Sequence, residues 1–369
     1  MKFLSSVILG CLTLGVLIPI NIHAQQTAGI QNSGTGAIGP FTYNRASPGM
    51  SFLPDISLIG TITGAAYQND PGPNGHNPER TGFNLQEIEM AVQSVIDPYV
   101  RADVFLSFSE IGVELEEGYL TSLSLPAQLQ LRAGKMKLPF GRFNEKHLEI
   151  WNFVNDPLIN DRILGSEGLN EFGVVASVIF PVPFFLQLEG GMSQGDNTGN
   201  FDGSRKQDFA GVSRLSASVD ISDRTTILVG TSGAMGFNAT GVGNLTQIYG
   251  GDLLFKWKPS THKGVTWQSE YIYRKRKTLL ADETEGGAYT EVIGQLGKRW
   301  QIGGRVDYLG VPVNTEKRYR ASPMIRFMPS EFFSLRTQYD YEDSNVTTPV
   351  HAGFLQAIFS MGPHGSHKF

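Results

Sequence analysis

The last quarter of the chain contains four segments in which apolar and polar residues alternate almost strictly. These segments span residues 300–308, 318–327, 333–341 and 355–361. Successive side chains of a β-strand point to opposite faces, so each segment has one apolar face and one polar, usually charged face. This pattern is typical of a strand that lies between lipid and a water-filled lumen. A soluble β-sandwich also alternates, and alternation alone leaves both interpretations open.

The N-terminus favours an exported protein. Residues 1–24 have the form of a secretory signal, with Lys2 followed by a mainly apolar run from Phe3 to Ile20. A competing interpretation is a lipoprotein signal that ends at Cys11, but the apolar residues continue well beyond it. Cys11 is the one cysteine of the chain, so cleavage after residue 24 leaves no disulfide. The mature chain must then be held by its core or by its hydrogen-bond ladder.

The mature sequence offers strands, rather than helices, as membrane spans. A spanning helix needs ~20 continuous apolar residues, whereas the longest mature apolar run, Val174 to Leu186, is interrupted by Pro181 and Pro183. Lipid tolerates strands only in a closed barrel, because an open edge leaves backbone groups unpaired. The 43 glycines and 11% aromatic residues suit a barrel with a wet interior. We therefore predict an all-β, transmembrane, antiparallel up-and-down barrel.

The organisation of the chain predicts one barrel domain at 52–369, preceded by a flexible lead at 25–51. Sixteen strand candidates follow one another, at about 54–67, 82–96, 99–108, 113–123, 127–138, 171–181, 184–193, 207–221, 225–236, 246–258, 264–276, 287–298, 300–309, 317–328, 332–342 and 351–362. Mostly tight turns alternate with mostly long polar loops, as in outer-membrane barrels. The link at 110–112 is shorter than this pattern predicts, so fourteen to eighteen strands remain open.

The aromatic residues of two neighbouring strands share one face of each strand. Tyr249, Phe255 and Trp257 have one parity, and Trp267, Tyr271 and Tyr273 share a parity on the next strand. Rings at strand ends are expected at the two membrane interfaces. In a soluble protein such a stripe is more often core, but here each stripe backs onto polar or charged positions, which favours the membrane barrel.

One part of the sequence resembles a known family. The segments 115–120, 131–141, 144–145, 161–165 and 170–174 are similar to the strands and loop of phosphate-selective porin O/P-like proteins, a family of bacterial outer-membrane porins. The similarity covers roughly Val113 to Gly191, and the remainder agrees in pattern only. The resemblance implies a sixteen-stranded porin in the bacterial outer membrane, and it says less about which solute passes.

The segment 139–170 is the predicted constriction. It lacks strand periodicity over a length that exceeds an ordinary connection, and long loops in compact domains are usually functional. In the resembled family such a loop folds into the lumen. Its charged residues would then face the solute: Arg142, Lys146, His147, Glu149, Asp156, Asp161 and Arg162. The alternative is that these charges simply solvate an outside loop.

Charge on the inner faces predicts a weak preference for anions. The strands between 264 and 342 place more arginines than carboxylates inward, and a lumen lined by one sign of charge attracts the opposite ion. Guanidinium also suits carboxylate or phosphate. The pore-lining and constriction candidates are Arg101, Arg132, Arg142, Lys146, Arg162, Arg274, Arg276, Arg305, Arg318, Arg320, Arg326 and Arg336. The alternative is that pairs such as Arg101 with Asp103, and Arg305 with Asp307, neutralise each other. The net charge of −5 argues against a uniformly basic funnel.

Other functions have weaker support, and we predict no enzyme, cofactor, metal site or nucleic-acid partner. Ser193 lies in a Gly-x-Ser-x-Gly match, but a polar loop follows it instead of a helix. The acidic residues Glu110, Glu114, Glu116 and Glu117 are interpreted as solvated loop and strand-edge charge, with a divalent cation site as the alternative. A plugged active transporter needs about 22 strands, more than this chain supplies. The expected partners are outer-membrane lipid and small hydrophilic solutes. A homotrimer and a non-conducting barrel for surface binding or adhesion remain open.

Overall fold

The computed structural model describes residues 54–69, 77–78, 80–110, 112–197, 199–203, 205, 208–312 and 316–362. Sixteen strands follow one another in this part of the chain: β1 (Asp55–Tyr67), β2 (Gly82–Asp97), β3 (Val100–Ser109), β4 (Gly112–Ser122), β5 (Leu129–Lys137), β6 (Asn170–Ile179), β7 (Phe185–Ser193), β8 (Ala210–Ser222), β9 (Thr225–Phe237), β10 (Leu245–Ser260), β11 (Lys263–Lys277), β12 (Asp282–Gln295), β13 (Trp300–Leu309), β14 (Arg318–Phe327), β15 (Phe333–Ser344) and β16 (Val350–Met361). The predicted secretory signal at 1–24 and the lead at 25–51 lie outside the described residues.

The strands form a closed antiparallel barrel. Each strand pairs with its neighbours in sequence, and β1 also pairs with β16, from Leu58 opposite Met361 to Tyr67 opposite Ala352. Closure leaves no free sheet edge, as lipid requires of a spanning sheet. The predicted fold class and the sixteen strands are therefore confirmed. Among the described residues, no helix combines the length and the apolar character needed to cross a membrane.

The two faces of the strands differ as the alternation predicts. On β13, Ile302, Val306 and Tyr308 point outward and are 45%, 45% and 38% exposed. On the same strand Arg305 and Asp307 point inward and are buried. The sequence thus builds an apolar exterior and a charged interior with side chains that are neighbours in the chain.

Two β-bulges within strands interrupt this alternation near the N-terminus, and a further register shift lies beside the turn from β2 to β3, between Val95 and Asp97. The register shifts between Thr61 and Ile62 where β1 meets β2, and between Phe105 and Leu106 where β3 meets β4. A bulge inserts one extra residue and re-aims the side chains beside it. The bulge on β4 buries both members of the consecutive pair Glu116 and Glu117 inside the barrel.

The segment between β5 and β6 folds into the lumen, as predicted. This segment, residues 138–169, contains a 3₁₀ turn at Leu148–Ile150 and one short helix, α1 (Leu158–Leu164). The described strand ends otherwise differ from the prediction mainly at β12, which begins at Asp282 instead of 287. The residues from 282 to 286 are polar or glycine and lack the apolar alternation on which the prediction relied.

Candidate functional site

The lumen loop, defined as residues 138–169, is packed against an apolar patch of the inner wall. On the loop side Phe140, Trp151 and Ile159 are buried, and they belong to one cluster with wall residues. The wall residues of this cluster are Met136, Val175, Ala210, Val212, Ala234, Ile248, Ile272, Tyr289 and Leu309. The inner face is therefore less polar than the alternation predicts, because the loop itself supplies apolar partners for these positions.

The start of the lumen loop approaches the wall through its backbone. The Gly141 amide donates to Ser232 Oγ at 3.0 Å, and the Phe143 amide donates to Glu270 Oε2 at 3.3 Å. Gly141 has a φ of +60°, and a Cβ there would collide with the Glu270 carboxylate. This position needs glycine both for its conformation and for the close approach.

Arg142 and Lys146 reach the same stretch of wall. Lys146 Nζ donates to Gln268 Oε1 at 3.1 Å, and Arg142 Nε lies 3.5 Å from the same oxygen. Burial lowers the pKa of the Lys146 ammonium and of the Arg142 guanidinium, because burial disfavours the charged form. Both predicted residues therefore connect the lumen loop, to which they belong, with Gln268 on β11.

A second contact is made on what we call the acidic wall, the four glutamates Glu87, Glu89, Glu116 and Glu117 of β2 and β4. His147 of the lumen loop faces Glu89 Oε2 at 2.6 Å from Nδ1 and Glu117 Oε1 at 2.6 Å from Nε2. Lys137 Nζ lies 2.7 Å from Glu116 Oε1. The interpretation as solvated charge is wrong for Glu116 and Glu117, since the bulge of β4 turns both inward, where they are 3% and 5% exposed. It is confirmed for Glu110 and Glu114, which are exposed.

His147 is held as an imidazolium by these carboxylates. Burial opposes its charge and is the largest single influence, but Glu116 and Glu89 overcome burial and raise the pKa of His147 well above its ordinary value. One donor atom each of Glu89, His147 and Glu149 come within 4.8 Å of one another, a spacing that could hold a metal ion. Both ring nitrogens of His147 already face carboxylates, so the arrangement is that of an ion pair rather than of a neutral metal ligand.

A third contact is made on the basic wall, defined as Arg305, Arg320, Arg326 and Arg336 of β13, β14 and β15. Arg305 donates from Nη1 to the carbonyl oxygen of Asn155 at 2.8 Å, and Arg336 donates from Nη2 to that of Trp151 at 2.6 Å. Arg320 donates to the carbonyl oxygen of Asp156. Three arginines of the basic wall therefore bind backbone carbonyl groups of the lumen loop, whereas the acidic wall binds the side chain of one loop residue, His147.

Asp307 organises the centre of the basic wall. Its Oδ2 lies 2.9 Å from Arg305 Nε and 3.4 Å from Arg320 Nε, and its Oδ1 accepts a hydrogen bond from the Leu158 amide at 3.1 Å. Nearby on the loop, burial raises the pKa of Asp156 to about 7. One buried carboxylate thus joins two strands to the start of α1.

The structure pairs most of the predicted cations with carboxylates. The ion pairs are Arg101 with Asp103, Arg132 with Glu145 and Glu189, Arg162 and Arg274 with Glu285, Arg305 and Arg320 with Asp307, and Arg318 with Glu316 and Glu342. The pairs Arg101–Asp103 and Arg305–Asp307, raised as the neutral alternative, are confirmed. Arg276 lies partly buried on β11, across from Glu283. Arg162 is 48% exposed, at the outer end of the lumen loop.

Some inward charges were missed from the sequence. Arg214 of β8 and Asp252 of β10 form a buried bidentate pair, at 2.6 and 2.9 Å. Both lie on inner-face positions of alternating strands, and a count of inward charges that included β8 and β10 would have found them. Lys137 was missed because it is the last residue of β5, where alternation ends and the lumen loop begins.

No family model matches the chain. An uncharacterised protein of Aquifex aeolicus (strain VF5) is 28% identical over 396 aligned positions, which cover 91% of this chain and 83% of that protein. Two solved structures that share the fold are an anion-selective porin from Comamonas acidovorans and the outer membrane channel DcaP of Acinetobacter baumannii. Their TM-scores are 0.59 and 0.56 at 10% and 12% identity, over 84% of this chain and 100% and 98% of theirs. OmpTdeltaL8, a loop L8 deletion mutant of an outer membrane protein of Vibrio cholerae, gives 0.57 at 7% identity, over 84% of this chain and 99% of that one.

Proposed function

We propose that the protein is a bacterial outer-membrane porin that passes small hydrophilic solutes by passive diffusion. The observation that carries the proposal is a closed sixteen-stranded barrel with an apolar exterior, a charged interior and one long loop folded inside it. Barrels of sixteen strands leave an aqueous channel. The fold shared with known outer-membrane porins and channels supports the same function and the same membrane.

The lumen loop is the proposed constriction of this channel. It is fixed to β11 by backbone hydrogen bonds, to the acidic wall by His147 and to the basic wall by its carbonyl groups. A segment held on several sides keeps a defined position inside the barrel. Solutes would pass between the charged side chains that remain beside it, and these charges set selectivity.

The proposed preference is for small anions, including phosphate. The basic wall supports it, because its four arginines face only two carboxylates within 4.0 Å among the described residues, Asp307 and Glu342, and so keep a net positive charge. On the acidic wall, by contrast, Lys137 and His147 offset part of the negative charge.

An enzymatic role has no comparable support. Ser193, the serine of the Gly-x-Ser-x-Gly match, is the last residue of β7 and continues into the connection to β8. The esterase motif instead places its serine on a sharp turn from a strand into a helix.

A second candidate function is a non-conducting barrel that binds a partner at the cell surface. The apolar packing of the lumen loop favours it, because Phe140, Phe153 and Val154 are 0–1% exposed inside the barrel. A core of this kind fills lumen that an open channel would leave to water.

Single-channel recording in a planar bilayer separates the two functions. Under a salt gradient, the full-length folded protein should give discrete current steps, with a reversal potential on the anion side. A variant with residues 143–166 replaced by a short Gly-Ser linker should conduct severalfold more. Steps with a cation-side reversal potential would overturn the anion preference alone. Silence from the wild type with current from the linker variant would favour the closed binding barrel.

A further inference from the structure

Two arginines of the basic wall lie directly opposite each other. Arg326 on β14 and Arg336 on β15 are cross-strand partners in the register of the barrel. Arg336 is buried, and Arg326 lies on the same strand face as the buried Ser322 and Met324, so both point inward. Like charges at directly opposed positions destabilise a sheet. Such a pair therefore requires something that offsets its charge.

The described residues do not supply a carboxylate for either arginine. Neither makes an ion pair within 4.0 Å there, in contrast to Arg305 and Arg320, which share Asp307. Arg326 bonds only the neutral hydroxyl of Ser334, at 3.0 Å from Nη2. Glu291, the carboxylate that acts on Arg336 from a distance, is held by Asn152 of the lumen loop at 2.7 Å.

Several hydrogen-bond donors of the two arginines also lack an acceptor among the described residues. Arg336 is 1% exposed, and its Nε and Nη1 have no partner among the described residues, although Nη2 donates to the Trp151 carbonyl. The Nε of Arg326 has no partner either. Buried donors are almost always satisfied, and unsatisfied donors on a buried cation are costly. The free nitrogens thus indicate a missing acceptor.

The neighbours on both sides of the pair are neutral. In the same row of the barrel wall, Gln301 of β13 is opposite Arg326 and Gln356 of β16 is opposite Arg336. The pair lies near the end of the barrel where short turns join the strands, because residues 328–332 connect β14 to β15. Arg326 is only partly buried, so part of its side chain is exposed at this end.

We propose that Arg326 and Arg336 form a binding subsite for a small oxyanion, a carboxylate or a phosphate, on the turn side of the lumen loop. The guanidinium fork matches the spacing of two oxygens on such an anion, and the Ser334 hydroxyl adds a further donor. The subsite would give the channel its first contact with an anion on that side. This inference rests on the proposed function for the route of the anion, but binding itself does not require conduction.

Isothermal titration calorimetry tests the subsite without any current measurement. Full-length folded protein in detergent micelles is titrated with inorganic phosphate and, separately, with acetate, at constant ionic strength. We expect saturable binding of at least one of the two, and Arg326→Gln should weaken it by about tenfold or more, because a charged hydrogen-bonding partner is lost. Binding of phosphate alone would identify a tetrahedral oxyanion, and binding of acetate alone a carboxylate.

Three further variants make the test specific. Arg299→Gln removes the same charge from an exposed turn at the same end of the barrel and should leave binding unchanged. Arg326→Lys keeps the charge but loses the fork, so its affinity should fall between wild type and Arg326→Gln. Arg336→Gln should also weaken binding, and circular dichroism checks that each variant is folded.

Two results would overturn the subsite. One is the absence of saturable binding to folded wild-type protein, even if that protein conducts in a bilayer. The other is equal affinity in wild type, Arg326→Gln and Arg336→Gln. Conversely, phosphate binding by a barrel that never conducts would retain the subsite and reject the porin.

Discussion

The acidic wall and the basic wall hold the same lumen loop by opposite means. On the acidic wall, carboxylates pair with His147 of the loop and with Lys137 at the adjoining end of β5, so both contacts are between opposite charges. On the basic wall, guanidinium groups meet the carbonyl oxygens of Trp151, Asn155 and Asp156, which are dipoles without net charge. The first contact therefore depends on a proton on His147, whereas the second keeps its charge at any physiological pH.

This difference separates anchoring from selectivity. Deprotonation of His147 weakens the contact between the acidic wall and the loop, and it changes the charge that faces the lumen at the same time. The hydrogen bonds between the basic wall and the loop are weakened only when one of the arginines, or the Asp307 carboxylate that orients two of them, is removed. Four substitutions test this contrast, and they run from the largest expected effect to the smallest.

Asp307→Asn should weaken the basic wall most. Asp307 is fully buried between Arg305 and Arg320, and removal of one partner from a buried pair leaves uncompensated charge at about 3 to 5 kcal/mol. We expect the free energy of unfolding in urea to fall by that amount. Asp282→Asn removes an exposed carboxylate that pairs with Lys275 and serves as the control, with little change. An equal, small loss in both variants would contradict a structural role for Asp307.

His147→Gln should weaken the acidic wall by about 2 to 3 kcal/mol, because its bonds to buried carboxylates involve charge. The pKa of His147 is raised on folding, so its contribution is fully present below the ordinary value of about 6.5 and is lost as pH rises through the higher folded pKa. Thermal unfolding measured from neutral to alkaline pH should therefore show a stability decline that His147→Gln lacks. Parallel curves for the two proteins would refute the imidazolium anchor.

Glu87→Gln should change selectivity more than stability. Glu87 is buried on the inner face of β2, and the variant removes one negative charge beside the lumen. We expect the reversal potential under a salt gradient to move toward anions by a modest amount. Asp223→Asn, at an exposed position in the turn between β8 and β9, is the control for loss of one negative charge and should leave the reversal potential where it was. A shift of the same size in both would indicate that total charge, rather than the acidic wall, decides selectivity.

Arg162→Gln should have the smallest effect. Arg162 pairs with Glu285 at 2.7 Å but is 48% exposed, and exposed pairs contribute about 0 to 1 kcal/mol. Urea unfolding and single-channel conductance should both stay close to wild type. A large change in conductance would place the narrowest part of the channel at α1 rather than between the acidic and basic walls.

The barrel could be predicted because its determinants are local. Strand periodicity and turn residues are read within ten or so positions, and the lengths of β13 and β15 followed from them closely. β12 shows where this prediction fails. Its first residues, 282–286, extend beyond the apolar band and do not alternate between apolar and polar. The inward fold of the segment after β5 followed from its length and from the resemblance, not from its contacts.

The contacts of the lumen loop could not be predicted because they join distant parts of the chain. Ile248 and Ile272 face inward against expectation, since their partners lie on the lumen loop, residues 138–169, far earlier in the chain. Glu116 and Glu117 were predicted to face solvent. They face the lumen because of a β-bulge, which the alternation of the sequence cannot reveal. The pairs Arg101–Asp103 and Arg305–Asp307 were foreseeable because their residues are two positions apart on one strand face.

The large sequence separation between the lumen loop and the basic wall also constrains the order in which the barrel can fold. Arg305 binds Asn155 across 150 residues, and Arg336 binds Trp151 across 185 residues, although the loop follows β5 directly. Contacts so remote in sequence form late, after much chain entropy has been given up. We therefore expect the hydrogen bonds between the loop and the basic wall to wait for β13 to β15, and to form in the same late stage of folding as the meeting of β1 with β16.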